Sequence, residues 1–187
     1  MLKIYKIAHD SKIYGPGIRD VIWFKGCSLH CKNCINQELW STKGAKLFSV
    51  DEAVNQLKSK HLTLLGGEPL QQEDILPFIK AVKRKRIGVI LFTGYEQSEL
   101  SGDAKQAADL CDVVIYDRYI EKLKDDSLYL RGSLNQSIVF NTKKYKPKEF
   151  EKPNSFEVNI TNDLELHGRT KDFINDLLEE IINAKDI

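Results

Sequence analysis

Three of the chain's four cysteines, Cys27, Cys31 and Cys34, fall in the stretch "GCSLHCKNCINQ" at C-x3-C-x2-C spacing. Two chemistries use thiolates set this close. Structural zinc wants four closed ligands, usually from two separated pairs. An iron-sulfur cube takes four thiolates when it only carries electrons, and with three it keeps one iron open to a substrate. Here there is one trio and no second pair, and Cys111, His9, His30 and His61 form no partner motif. On spacing alone, zinc and cluster stand level. Cys111, in the apolar "ADLCDVV", reads as a small core hydrophobe, so a second cluster cannot be built from cysteines. His30, between two of the thiols, reads as exposed, and Trp40 as packing.

Other stretches carry polar groups into tight turns. "LLGGEPL" pairs two glycines, which let a backbone approach closely, with the carboxylate of Glu68. "FTGY" offers Thr93 before a glycine, and "RGSLNQ" carries Arg131, Ser133, Asn135 and Gln136 toward an apolar strand. Each is also readable as a plain turn. "YGPGIR" is a tight turn on any reading.

The elements that would position these groups alternate. "VIWFKG" reads as a strand delivering the chain into the cysteine loop, and "SVDEAVNQLKSK" as a helix opened by a Ser49/Glu52 capping box. "HLTLLGG", "IGVILFTG" and "DVVIY" read as strands separated by helices in "EDILPFIKAVKRKR", with Pro77 as a kink or late start, and "GDAKQAADLC". "SIVFN" and "FEVNI" read as later strands and "KDFINDLLEEIINAK" as a final amphipathic helix, while "KKYKPKEFEKPNS" (143–155) reads as a surface connection. Such β/α alternation implies a mostly parallel sheet whose chemistry lies at the C-terminal strand ends. The chain has 187 residues and a full eight-stranded barrel needs about 250. The expected fold is therefore α/β, an open partial (β/α) barrel of about six mostly parallel strands, in a single domain spanning 1–187.

With 28 basic against 27 acidic side chains and a net charge of +1, nothing announces a nucleic-acid or membrane partner. The start lacks the apolar core of a secretory signal and no stretch matches a membrane span, which places the expected location in the cytoplasm. In that reducing setting clustered cysteines read as ligands or catalysts before disulfides. "KRKR" (83–86) reads as the solvated end of a helix.

The ordered set "GPGIR", "GCSLHCKNCINQELW", "LLGGEPL", "FTGY", "DRYIE" and "RGSLNQ" resembles the radical S-adenosylmethionine enzymes, and within them the small activating proteins of anaerobic ribonucleotide reductase. The resemblance implies a 4Fe-4S cluster on Cys27, Cys31 and Cys34, with the amino and carboxylate groups of S-adenosylmethionine on the fourth iron. It also implies that Gly66, Gly67 and Glu68 meet the methionine ammonium, that Thr93 faces the ligand, that Arg131, Ser133 and Asn135 belong to the nucleoside or carboxylate end, and that Arg19 contacts either the cosubstrate or the protein substrate. Asn33 stands beside the third cysteine where many of these enzymes carry an aromatic, so adenine packing falls to a neighbour such as Ile35. At "YDRYI" a glycine is expected where Asp117 stands. The implied activity is generation of a glycyl radical on anaerobic ribonucleotide reductase, with electrons from a flavodoxin-like donor. Rival readings are radical chemistry on a small molecule, activation of a pyruvate formate-lyase-like enzyme, and a zinc-stabilised binding module.

Overall fold

The computed structural model describes residues 1–152 together with the strands at 156–160 and 164–168. Its centre is a seven-stranded sheet in the order β3-β1-β2-β4-β5-β6-β7. The strands are β1 (Leu2–Ser11), β2 (Arg19–Phe24), β3 (Lys46–Phe48), β4 (His61–Gly66), β5 (Gly88–Phe92), β6 (Val113–Tyr116) and β7 (Ser137–Phe140). The four in the middle, β2, β4, β5 and β6, are parallel; β1, β3 and β7 add antiparallel at the flanks. A separate hairpin pairs β8 (Phe156–Ile160) with β9 (Leu164–Gly168). The open α/β sheet expected from the alternation is present: five of the six strands read from the sequence lie in it, the sixth, "FEVNI", is β8 of the hairpin, and two further strands bring the sheet to seven. The extra pairing comes from β1 and β3, whose mixed polar and apolar residues carry no alternation strong enough to announce them. The proposed final helix lies outside the described residues.

Three helices cross between the parallel strands: α1 (Val50–Asn55), α2 (Ile75–Arg84) and α3 (Gly102–Leu110). Ser49 and Glu52 form the expected capping box, each side chain serving the other's backbone N–H. Pro77 sits in the first turn of α2, where its missing N–H costs nothing, so it marks a late start and not a kink. At the other end Arg84, Lys85 and Arg86 are exposed as expected, while Lys83 turns back onto Asp112.

Strand periodicity decides which residues meet the helices. On β2, Ile22 and Phe24 join the large core that includes Phe78, Ile79 and Val82 of α2, and Val21 and Trp23 face the other way. That other face carries none of the three helices. Near the strand N-termini it is covered by Tyr129, Tyr145 and Phe150, which pack on Ile90, Val113 and Ile115. The segment read as a surface connection therefore does more: Tyr145 and Phe150 are buried, and their aromatic area repays anchoring a stretch otherwise rich in lysine. Near the strand C-termini the same face is left concave.

Candidate active site

A cavity of about 660 Å³ opens at the C-terminal ends of β2, β4, β5 and β6. Cys27, Cys31 and Cys34 all line it, with Gly66, Gly67, Glu68, Thr93, Gly94, Asp117 and Arg131. The three cysteines thus share one cavity wall with residues from four strand ends.

The cysteine loop is fastened at its base. Gly26 and Cys27 donate backbone N–H groups to the carbonyls of Leu39 and Trp40 at 2.8 and 3.0 Å. Gly67 donates to the Phe24 carbonyl at 2.8 Å, and Glu68 to that of Gly26 at 2.9 Å. A Cβ on Gly67 would lie 2.5 Å from the Gly26 oxygen, and one on Gly66, whose φ is +114°, would lie 2.5 Å from the Phe24 nitrogen. The glycine pair is what lets β4 come this close to the loop. The Gly67 and Glu68 N–H groups are thereby both engaged within the protein.

Glu68 is buried and its carboxylate is already busy. Oε1 accepts from the Leu70 N–H and the Thr93 hydroxyl, and Oε2 from the Gly94 N–H, each at 2.9 Å. Burial pushes its pKa up to about 7 against these donors, which pull it down. Its first role is to tie the end of β4 to that of β5. Thr93 serves the same joint, since its hydroxyl is spent on Glu68.

The sulfur atoms are met by backbone donors. Asn36 N–H lies 3.4 Å from the Cys34 sulfur. Burial raises the Cys27 and Cys31 thiol pKa values, opposed by N–H groups of Leu29 and His30 at Cys27 and of Tyr119 at Cys31. N–H···S contacts of this kind stabilise and tune anionic iron-sulfur centres. Among the described residues, Cys27, Cys31 and Cys34 share the cavity wall, and no three His, Cys, Asp or Glu side chains are already drawn together on one point as a mononuclear metal site requires. The candidate fourth ligands are engaged elsewhere: His9 with Asp20 at 2.6 Å, His61 with the Tyr145 hydroxyl at 2.8 Å, and Cys111 in the core with the Ala107 carbonyl. Exposed His30 packs obliquely against Trp40, which itself lines the cavity. Three thiolates on the wall of a roomy cavity fit a cluster that the protein itself ligates at three corners.

Residues 13–139 match the family model described as a 4Fe-4S single cluster domain. The anaerobic ribonucleoside-triphosphate reductase-activating protein of Escherichia coli K12 is 31% identical over 139 residues, 67% of this chain and 90% of its own. Its counterpart from Haemophilus influenzae is 36% identical over the same shares. The one from Enterobacteria phage T4 is 34% identical over 70% of this chain and 88% of its own. This chain belongs to the family of anaerobic ribonucleoside-triphosphate reductase-activating proteins. Among solved structures, QueE from Escherichia coli aligns with 62% of this chain and 69% of its own at a TM-score of 0.46 and 14% identity, too loose a match to carry weight.

The family motifs land unevenly around the cavity. Arg131 lines it and donates to the Gln136 carbonyl, whereas Ser133 is fully buried beneath, accepting the Ile120 N–H. Asn135 lines an adjoining recess of about 450 Å³, shared with Cys31, Asp117 and Tyr119; its Oδ1 is buried without a hydrogen-bond partner. Asn33 is exposed, outside the cavity wall, and holds φ +59° in the turn that closes Cys34 N–H onto the Cys31 carbonyl. Ile35 does line the cavity while remaining 78% exposed, so its apolar face is available to a flat ligand.

Arg19 is far from all of this. It is completely buried at the opposite strand end, donating to the Tyr14 carbonyl at 3.1 Å and the Tyr145 hydroxyl at 3.0 Å. The substrate contact considered for it is replaced by a structural role, because β2 starts at this residue and its C-terminal end reaches the site.

Asp117, where a glycine was expected, has φ +82°. The expectation had a physical basis: this backbone suits glycine, and an L-residue there costs roughly 1 kcal/mol. Sequence reasoning missed Gln71, whose amide ties Ser28 of the cysteine loop and the Tyr95 hydroxyl to the end of β4, each at 2.8 Å. It also missed Gln72, which bonds the Lys25 carbonyl and the Lys3 N–H. A glutamine pair after a glycine turn carries no pattern of its own.

Proposed function

We propose that residues 1–187 form one cytoplasmic radical S-adenosylmethionine domain that installs a glycyl radical on an anaerobic ribonucleoside-triphosphate reductase, drawing electrons from a flavodoxin-like donor. The observation that carries this reading is the single cavity that gathers the three cysteines with the glycine turn and the ends of the parallel strands. Family membership favours a reductase as the partner over a small-molecule substrate or another glycyl-radical enzyme.

Cys27, Cys31 and Cys34 would hold the cluster. When bound, it supplies the electron for reductive cleavage of S-adenosylmethionine, whose deoxyadenosyl fragment takes hydrogen from a substrate carbon. The protein's part is placement. The Gly66–Gly67 turn offers carbonyl oxygens to the methionine ammonium, and Glu68 fixes the turn through Leu70, Thr93 and Gly94. Ile35 covers the adenine, and Arg131 and Asn135 border the nucleoside end. The concave side without helices leaves a way in for a loop of the partner, whose glycine has no side chain to block approach.

The test is anaerobic reconstitution with iron and sulfide, followed by assay for 5'-deoxyadenosine with a strong reductant and for a glycyl radical doublet on mixing with the reductase. Deoxyadenosine without a radical on the reductase would leave the cofactor assignment standing and remove the partner. A protein that binds zinc and leaves S-adenosylmethionine intact would remove both.

A further inference from the structure

The first strand deals its side chains to two sides. Leu2 and Ile4 join the core beneath the helices, so the exposed Lys3 and Tyr5 fall on the face that carries no helix. Leu47 of β3, the register partner of Lys3, lies on that face too, and past the bulge so does Lys6, opposite Trp23. Lys25, one residue beyond the end of β2, completes the group. Its N–H donates to the Lys3 carbonyl at 2.8 Å, and its ammonium stands 5.6 Å from the centre of the Tyr5 ring.

This side of the cavity mouth keeps unusual company. Tyr5 is 46% and Leu47 60% exposed. Among the described residues, the ammonium groups of Lys3 and Lys25 meet no carboxylate. Glu38, exposed on the cavity wall, sets one negative charge against the three lysines. Around the adjoining recess the charges are mixed instead: Lys32 and Arg118 line it with Glu96 and Asp117, and Glu99 holds the Arg118 guanidinium through two contacts of 2.8 Å. The β1 side is also near the thiols. Tyr5 and Lys6 line the cavity that the cysteines share, and Lys25 stands two positions before Cys27, within about 7 Å along the chain.

An aromatic ring and a leucine held in water beside lysines without acidic partners suit a protein surface of opposite charge. Electron-transfer encounters sit at the small end of protein interfaces, and complementary charge steers them. A patch of this size and sign, beside the cluster ligands, meets both conditions.

We infer that the β1 side of the cavity mouth, formed by Lys3, Tyr5, Lys25 and Leu47, is the docking face for an acidic protein that delivers one electron to the cluster. This rests on the cluster reading above and gives the donor a place and a surface charge. The donor is oxidised by one electron and the cluster reduced by one; no bond forms or breaks.

The test uses the reconstituted protein with two reductants, reduced flavodoxin as the acidic donor and photoreduced 5-deazariboflavin as an uncharged one. The second-order rate of cluster bleaching is read by stopped flow, with iron content recorded alongside. Lys3→Glu and Lys25→Glu should each slow flavodoxin about tenfold at low salt and leave deazariboflavin unchanged. Lys80→Glu, the same charge change at an exposed position of α2 on the helix side, should stay within about twofold of the parent. At about 1 M salt, where charges act over only about 3 Å, most of the gap between the parent and the two lysine variants should close. Leu47→Ser should slow flavodoxin less, and that loss should persist in salt.

Equal slowing by Lys80→Glu overturns the inference, because net charge alone would then explain the effect. Unchanged flavodoxin rates in both Lys3→Glu and Lys25→Glu overturn it too. So does a defect confined to radical formation on the reductase, which would give this face to that partner. A parent cluster reduced by deazariboflavin and not by flavodoxin removes the docking face while leaving the cluster assigned. A parent reduced by neither removes the cluster reading and the docking face with it.

Discussion

The two ends of the parallel strands use the same kinds of residue to opposite effect. At the N-terminal end, Arg19, His61 and Tyr145 meet around the starts of β2, β4 and β5, and each finds its partner within the group. Gly15 lets the chain pass over them; a Cβ there would lie 1.7 Å from Arg19 Nη1. At the C-terminal end the polar groups fasten loops but leave acceptors and thiols on a cavity wall. One end is closed on itself and the other is open to a ligand. A glycine-rich turn followed by arginine reads the same at either end; only the direction of the strand it feeds tells them apart.

The comparison breaks most visibly at the thiols. Cys27→Ala, Cys31→Ala or Cys34→Ala should each abolish cluster assembly and deoxyadenosine formation, measured as iron per chain and product per chain. Arg19→Met, at the closed end, should leave iron content unchanged, since a buried charge lacking a carboxylate partner is replaceable by an apolar chain of similar length. Cluster loss in Arg19→Met at full folding would end the division between the two ends.

Gly67→Ala tests the seam between the open end and the sheet. The added methyl would meet backbone on both sides of Gly26, which cannot yield as a flexible side chain could. A loss of about 3 kcal/mol is expected in urea denaturation, with poorer iron loading because the cysteine loop is displaced. A variant of unchanged stability would mean the loop is not held by this contact.

Glu68 gives a subtler handle through pH. Its folded pKa of about 7 lies above the usual carboxyl value of 4.5, so the folded state binds more protons in between. Stability is then highest below pH 4.5, falls as pH rises through the interval to about 7, and is flat beyond. The full swing is on the order of 3 kcal/mol. In the metal-free protein, Glu68→Gln should flatten that slope in thermal melts taken from pH 5 to 8. An unchanged slope would show that its donors from Leu70, Thr93 and Gly94 outweigh burial.

Much of this was legible in the chain because the signals were local. Cys27, Cys31 and Cys34 stood out by their spacing, which by itself left zinc and cluster level, and Ser49 with Glu52 needed only the capping pattern. The β/α alternation gave the parallel centre and hence the end at which to look. What escaped depends on chain segments far apart in sequence. β1 pairs with both β2 and β3, and its register slips between Ile4 and Lys6, which scrambles the alternation that would have revealed it. Arg19 meets Tyr145 across 126 positions, and no pattern around either residue records the other. Asp117 sits between: the glycine expected there matches the backbone, whose φ is positive, and an aspartate adopts it all the same.

The smallest expected effect sharpens the comparison from the closed side. Tyr145→Phe keeps the ring that packs on Phe150 but removes the hydroxyl shared by Arg19 and His61. Arg19 Nε already lacks a partner, so its guanidinium would then rest on the Tyr14 carbonyl and the aromatic face alone. An unmet buried donor costs about 1–2 kcal/mol, which should appear as a lower urea midpoint. His61 would lose its hydroxyl partner as well, although burial and nearby Arg19 hold its pKa below the ordinary imidazole value and so favour the uncharged ring. Iron content and cosubstrate cleavage should match the parent under conditions where both fold. If cleavage fell at equal iron content, the Tyr145 hydroxyl would be felt at the far ends of the strands it braces, and the closed end would count as part of the active site's support.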